Sequence, residues 1–247
     1  MTLEEFKKTR FEGREKLLNR ILKVFKQFKP VAIHQFGSGA VGYKDEFSDL
    51  DLWFTFRDDE VGVIVKDQNK ILKSIAPVFL KHQSKTWSPL GGSATLIIHS
   101  TEFGLFQVDY YISKFSETII QRGALVLYGS DLLKRGEWRL NKGAKSSHTL
   151  KKDISLLLIL VFISIKGIIR KWEGPDFENN IKFVYKRLQK NYGIRMKRRR
   201  INLSFKLIYK LLVDLYPLAN KVQKRSIVKI KNYAEQVEHL YQQQSHI

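Results

Sequence analysis

The sequence predicts an α+β fold, a mixed β-sheet flanked by helices, followed by an all-α helical-bundle domain. Three observations carry this. Short apolar runs closed by glycine or turn residues occur only in the first 150 or so residues. From about His148 onward the apolar residues recur at intervals of three and four, the helical period. The charge also changes: residues 1 to 150 carry 23 Lys and Arg against 17 Asp and Glu, a balance of +6, whereas residues 151 to 247 carry 21 against 7, a balance of +14.

The elements follow in order. From Leu3 to Phe28 the apolar residues Phe6, Phe11, Leu17, Leu18, Ile21, Leu22, Val24, Phe25 and Phe28 alternate with charge at helical spacing, and Pro30 closes the helix. Val31 to Phe36 and Leu50 to Phe56 read as strands around the polar connection GSGAVGYKDEFSD. Val63 to Lys81 reads as a helix that Pro77 kinks or ends early. SPLGGS at 88 to 93 is a turn, and Ala94 to Ile98 and Leu105 to Ile112, linked by HSTEFG, form a hairpin. Leu125 to Tyr128, closed by Gly129, is a last short strand.

Helices are then expected over Leu150 to Lys171, Phe177 to Tyr192, Leu203 to Leu215 and Lys221 to Gln244, interrupted by EGPD, by Gly193 with the basic run RMKRRR, and by Pro217. NKGAKSS has linker composition, so the domains divide as 1–145 and 146–247. There is no internal repeat.

Composition excludes several function classes. A chain of 247 residues without cysteine has no disulfide, no thiolate metal site and no thiol nucleophile, so any metal sits on oxygen or imidazole. The charged N-terminal segment has no secretion signal, which places the protein in the cytoplasm by expectation. The most apolar stretch, ISLLLILVFISI from Ile154 to Ile165, is too short to span a bilayer, which needs about 20 apolar residues, and reads as a buried helix. The net charge of +20 attracts nucleotides, nucleic acid and acidic surfaces.

The chemistry concentrates in QFGSGAVGYKDEFSDLDLWF, residues 35 to 54. Asp49 and Asp51 flank Leu50 at a strand start, so with a period of two their carboxylates project from one face while Leu50 anchors the core. Adjacent carboxylates repel unless a cation lies between them, and Mg²⁺ takes one or two carboxylates plus phosphate oxygens. Gly37 and Ser38 follow a strand and precede a short helix, where a glycine backbone, helix-start amides and a hydroxyl suit phosphate.

Asp109, an acid in the apolar strand LFQVDYYI, is the third candidate, either completing a two-metal site or acting as general base. Ser48 and Lys152, with Lys151 beside it, are further candidates for nucleotide contact. Glu117 is an alternative base, and His34 reads as a strand residue. Asp45, Glu46 and the run Asp58 to Glu60 read as solvated loop charges. Tyr185 and Tyr192, interleaved with Lys182, Lys186, Arg187 and Lys190, suit either base stacking or a buried helix face.

Gly37-Ser38, Gly42 and Ser48-Asp49-Leu50-Asp51-Leu52 together resemble the signature of the polymerase-beta-like nucleotidyltransferase superfamily, in particular its small bacterial branch of aminoglycoside and lincosamide nucleotidyltransferases. The resemblance covers roughly residues 30 to 130, with Asp109 in the place of the family's third acid and VLYG at 126 to 129 resembling its closing strand. It implies a nucleotidyltransferase-type sheet, Mg²⁺ at a two-ion site, ATP or another NTP as co-substrate, and transfer of NMP with release of pyrophosphate. The helical half resembles the far wall of such a cleft, without a specific motif.

A small hydroxylated acceptor is the first expectation. An aminoglycoside is a polycation that a basic protein repels unless the cleft is locally acidic, so a neutral acceptor is easier to accommodate. RNA, bound through Arg195 and Lys197 to Arg200, is the alternative acceptor, and a non-catalytic antitoxin or partner-binding protein of the same fold is a third reading. A homodimer is compatible with any of them.

Overall fold

In the computed structural model, residues 1–42, 45–84, 87–129, 133–137, 150–170, 175–194 and 203–243 are described, with side chains omitted at 150–153 and 175–178. The chain divides into two compact units at residues 147 and 148. The first is mixed α/β and the second helical. The NKGAKSS linker and the basic run from Arg195 to Arg200 lie outside the described residues.

The first unit opens with helix α1, Leu3–Lys26, followed by strand β1, Ala32–Phe36, and a 3-10 turn, Gly37–Val41. Strand β2, Leu50–Phe56, leads to helix α2, Val61–Ile75, and strand β3, Val78–Ser84. Strands β4, Ser93–Thr101, and β5, Gly104–Lys114, form a hairpin. Short strands β6, Ile119–Gln121, β7, Leu125–Gly129, and β8, Lys134–Gly136, complete the unit.

Six strands form one sheet in the order β3-β4-β5-β2-β1-β7, while β6 and β8 pair separately. Within the large sheet β2 and β5 run parallel and every other neighbouring pair is antiparallel. The sheet is therefore mixed.

The helix expected over Val63 to Lys81 is corrected: it ends at Ile75, and Val78–Ser84 is an edge strand. Ala76 is already extended, as the residue before Pro77 is biased to be, and Pro77 lacks the N–H that a helix interior needs. Beyond it Leu80, His82 and Ser84 are buried with a period of two and pair with β4.

One face of the sheet holds the main core. Leu50, Leu52, Phe54 and Phe56 of β2, with Val108, Tyr110 and Ile112 of β5, pack with Leu17, Ile21 and Phe25 of α1 and Ile64, Ile71, Leu72 and Ile75 of α2. Phe25 and Phe54 stack at 3.9 Å. The stripe of α1 differs in one respect from the expected one: Phe11 is 39% exposed, and Arg10, Gly13 and Arg14 are buried instead.

The second unit comprises α3, Leu150–Ile169, α4, Pro175–Tyr192, α5, Phe205–Leu215, and α6, Lys221–Gln242. Helix α3 packs against each of the other three, which is why ISLLLILVFISI has almost no polar side: Ile154, Leu157, Leu158, Ile159, Val161 and Ile165 are all 2% exposed or less. Among the described residues no helix is long and apolar enough to cross a membrane. The start of α6 carries a capping box, in which the Asn220 side chain accepts from Val222 N and Gln223 N while Gln223 Oε1 accepts from Asn220 N.

One buried titratable group makes the core sensitive to pH. His99 on β4 lies 3.2 Å from Ala76 O through Nδ1 and 2.9 Å from the Tyr110 hydroxyl through Nε2. A carbonyl can only accept, so Nδ1 carries the proton and Nε2 accepts from Tyr110. Burial lowers the His99 pKa to about 4, against the opposing pull of the Ala76 and Pro77 carbonyls. A histidine held neutral in the fold contributes stability that is present above pH 6.5 and lost as pH falls from 6.5 toward 4, in all about 3 kcal/mol. Urea unfolding of the parent and of His99→Gln should show a stability difference that shrinks across that window. A difference independent of pH would rule out the neutral buried imidazole.

Candidate active site

The opposite face of the sheet carries the polar constellation. In the parallel register Asp51 on β2 lies beside Asp109 on β5, and in the antiparallel register Asp51 faces Phe36, the residue before Gly37. Asp49 precedes β2 by one residue. Adjacent strands lie about 4.8 Å apart, so the sheet itself delivers Asp51 and Asp109 to neighbouring positions. Asp49, Asp51 and Asp109 are half-buried, with Leu50, Leu52 and Val108 between them turned into the core.

Tyr111, two residues beyond Asp109 on the same face, responds to all three acids. Burial first, then Asp109, Asp51 and Asp49 in that order, push its hydroxyl well above the usual tyrosine range. It therefore remains a protonated donor at neutral pH. Its ring stacks on Trp53 at 5.3 Å and meets Phe36 edge-on at the same separation. Trp53 donates through Nε1 to Ser113 Oγ at 2.6 Å. Gln107 Nε2 donates to Asp109 Oδ1 at 3.1 Å, which helps to orient that carboxylate.

Gly37 is exposed and Ser38 half-buried, in the 3-10 turn that follows β1. Gly37 has φ +64°, and a Cβ there would collide with Asp51 Oδ2. The bare backbone is thus what allows this turn to lie against the carboxylate. The arrangement offers a place where an anionic chain along the turn and a hard cation on the acids would be neighbours.

The approach to Asp49 differs from expectation. Glu46 is 6% exposed and Asp45 half-buried, so neither is the solvated loop charge that the sequence suggests. Asp45 Oδ1 accepts from Phe47 N at 2.9 Å, and Ser48 Oγ accepts from Asp45 N at 3.2 Å. Ser48 is buried and its hydroxyl is engaged in this turn. Residues 45 to 48 form a closed structure whose carbonyls are met by Arg10 and Arg14 of α1, two residues the sequence reading passed over. The available signal was their position: Arg10 and Arg14 fall on the stripe that runs from Phe6 to Leu17.

Other candidates are placed elsewhere. Glu117 sits in a 3-10 turn beyond Lys114, the far end of β5, which lies about 16 Å along the strand from Asp109 at a rise of about 3.3 Å per residue. Asp58 is exposed and accepts from Ser116 N and Oγ, so it caps that turn. His34 is a buried strand residue. Tyr185 is 5% exposed, which leaves its ring no room to stack on a base. The Lys151 and Lys152 side chains lie outside the described residues. Among the described residues, no three imidazole or carboxylate groups converge to hold one ion by themselves.

The conformational demand at Gly37 is testable by itself. Gly37→Ala combines a left-handed φ with a collision at Asp51 and should lower stability by about 1–3 kcal/mol, read as a fall in the thermal midpoint of several degrees. An unchanged midpoint would mean that the turn does not lie against Asp51. No protein-family model matches the chain, and no curated protein is found to be similar to it.

Proposed function

We propose that this chain is a metal-dependent nucleotidyltransferase that transfers NMP, AMP from ATP in the first instance, to a hydroxyl of a small-molecule acceptor such as an aminoglycoside or lincosamide. In that reaction the acceptor oxygen forms a bond to the α-phosphorus, the bond from that phosphorus to the bridging oxygen breaks, and pyrophosphate leaves. The proton of the hydroxyl passes to a base.

The observation that carries this reading is the register of Asp51 beside Asp109 with the Gly37 backbone packed on Asp51. The donor chemistry suits a hard dication, whose shell of carboxylate oxygens would be completed by phosphate oxygens. Mg²⁺ bound there would offset the repulsion of the acids and polarise the phosphates. The Gly37-Ser38 turn would hold phosphate through backbone N–H groups and a hydroxyl. Asp109, oriented by Gln107, is available either as a ligand or as the acceptor of the hydroxyl proton. The Tyr111 hydroxyl, kept protonated, supplies a donor to the carboxylates or to phosphate.

The charge of +14 over residues 151 to 247 favours a second reading, in which the acceptor is RNA. Incubation with ATP labelled at the α-phosphate and Mg²⁺, against aminoglycosides, lincosamides and total tRNA, separates the two by which acceptor gains label. Asp51→Asn should remove transfer by at least about a hundredfold while the protein stays folded, since it deletes a ligand and relieves repulsion. Label on no acceptor, without pyrophosphate release, would leave a fold that binds partners without catalysis. Full turnover by Asp51→Asn would remove this site from the chemistry.

A further inference from the structure

We propose that Arg14, with Arg10 one helical turn before it, is a positioning residue of the acidic site: the two buried guanidinium groups set the 45–48 turn and hence the place at which Asp49 and Asp51 enter the sheet. This rests on the reading of those acids as ligands of a dication.

The contacts are specific. Arg14 Nη1 donates to Asp45 O at 3.0 Å and to Ser48 O at 3.3 Å, so one nitrogen bridges both ends of the turn. Arg10 Nε donates to Glu46 O at 3.4 Å, and its Nη1 donates to Leu105 O at 2.5 Å, at the start of β5. The Arg10 guanidinium also lies 3.9 Å over the Phe106 ring. Between them the two side chains therefore hold three carbonyls of the segment just before Asp49 and one on the strand that carries Asp109. Phe47, from the same turn, packs its ring against Phe6 of α1 at 6.0 Å.

The helix is able to do this because of a small residue. A Cβ at Gly13 would collide with the Phe103 and Phe106 side chains, so glycine there lets α1 lie close to the β4–β5 hairpin. Arg10 and Arg14, four apart, project from the same side of α1.

Two buried arginines are costly as stability devices. Arg10 is 4% exposed and Arg14 1%, and taking a guanidinium out of water is expensive. An apolar residue at either position would serve the stripe of α1 equally well as packing. What it could not do is fix three backbone oxygens ahead of two like charges that repel each other and tend to drive the strand start apart.

Coulomb's law and positioning predict opposite signs, which makes the idea testable. Removing a cation close to a cation site should strengthen metal binding if only charge matters. If Arg14 positions the acids, its removal should weaken binding.

Mn²⁺ affinity of the full-length protein, read from the free-ion electron paramagnetic resonance signal well below the unfolding midpoint, decides between them. The parent should bind and Asp51→Asn should not. Arg14→Met should lose roughly 10-fold or more, Arg14→Lys, which keeps the charge but not the fork, should lose less, and Arg20→Ala on the exposed side of α1 should lose nothing. If Arg14→Met fails to fold, Arg14→Lys carries the test. Loss with Asp51→Asn but parent-like or tighter binding by folded Arg14 variants would overturn this inference alone, even if their unfolding midpoints fall. Absence of binding by the parent, or parent-like binding by Asp51→Asn, would overturn the dication reading and this inference with it.

Discussion

The parallel pairing of β2 with β5 is the constraint on which the first unit depends. It is the only parallel pair in the large sheet, and it sits at the middle of the strand order. It brings Asp51 beside Asp109 with Asp49 one step away, which is an unfavourable arrangement of like charge. The opposite face offsets the cost. Leu50, Leu52, Phe54, Phe56, Val108, Tyr110 and Ile112 come from the same two strands and are all buried against α1 and α2. Alternation along a strand thus lets each of these acids be flanked by core residues, and neither set can be shifted in register without moving the other.

The elements around the acids act on backbone more than on side chains. Gly37, at φ +64°, keeps its backbone against the Asp51 carboxylate, and the 45–48 turn meets α1 through carbonyl oxygens. Such contacts tolerate changes of side-chain identity in the connection while preserving its path. Gln107 performs the complementary task on β5, donating to one oxygen of Asp109.

Much of this order is visible in the sequence because it is local. The alternation around Asp51, the turn residues at 88 to 93 and the helical spacing beyond His148 depend on neighbours in the chain, and the corresponding strands and helices are present. Val65, Ile71, Leu72, Ile75 and Phe79 continue a helical spacing past Pro77, which is why the sequence predicts helix as far as Lys81, while the strand over Val78–Ser84 is imposed by its pairing with β4. The roles of Glu46, Ser48, Arg10 and Arg14 were equally hidden. A buried polar residue is recognisable only through its partners, and those of the two arginines lie 31 to 95 residues away in the chain, as in the bonds from Arg14 to Asp45 and from Arg10 to Leu105.

Charge sets the remaining terms for an acceptor. On α5 and α6 the carboxylates are already engaged: Asp214 with Lys210 at 2.5 Å, Glu235 with Lys231 at 3.4 Å, and Glu238 with the Tyr209 hydroxyl at 2.7 Å. Their negative charge is already counted in the balance of +14 over residues 151 to 247, so the field of that half is positive as a whole. The acids of the first unit act in the contrary sense, but only at short range, because at physiological salt an exposed charge is screened within about 8 Å. In the transfer proposed above, a polycationic acceptor would be disfavoured by the net charge of +20 and attracted only by the acids, and a metal there would cancel part of that attraction. An acceptor of low positive charge meets neither obstacle. On that proposal, the net charge of the chain thus favours a weakly charged hydroxyl compound over an aminoglycoside, and an anionic acceptor more strongly still.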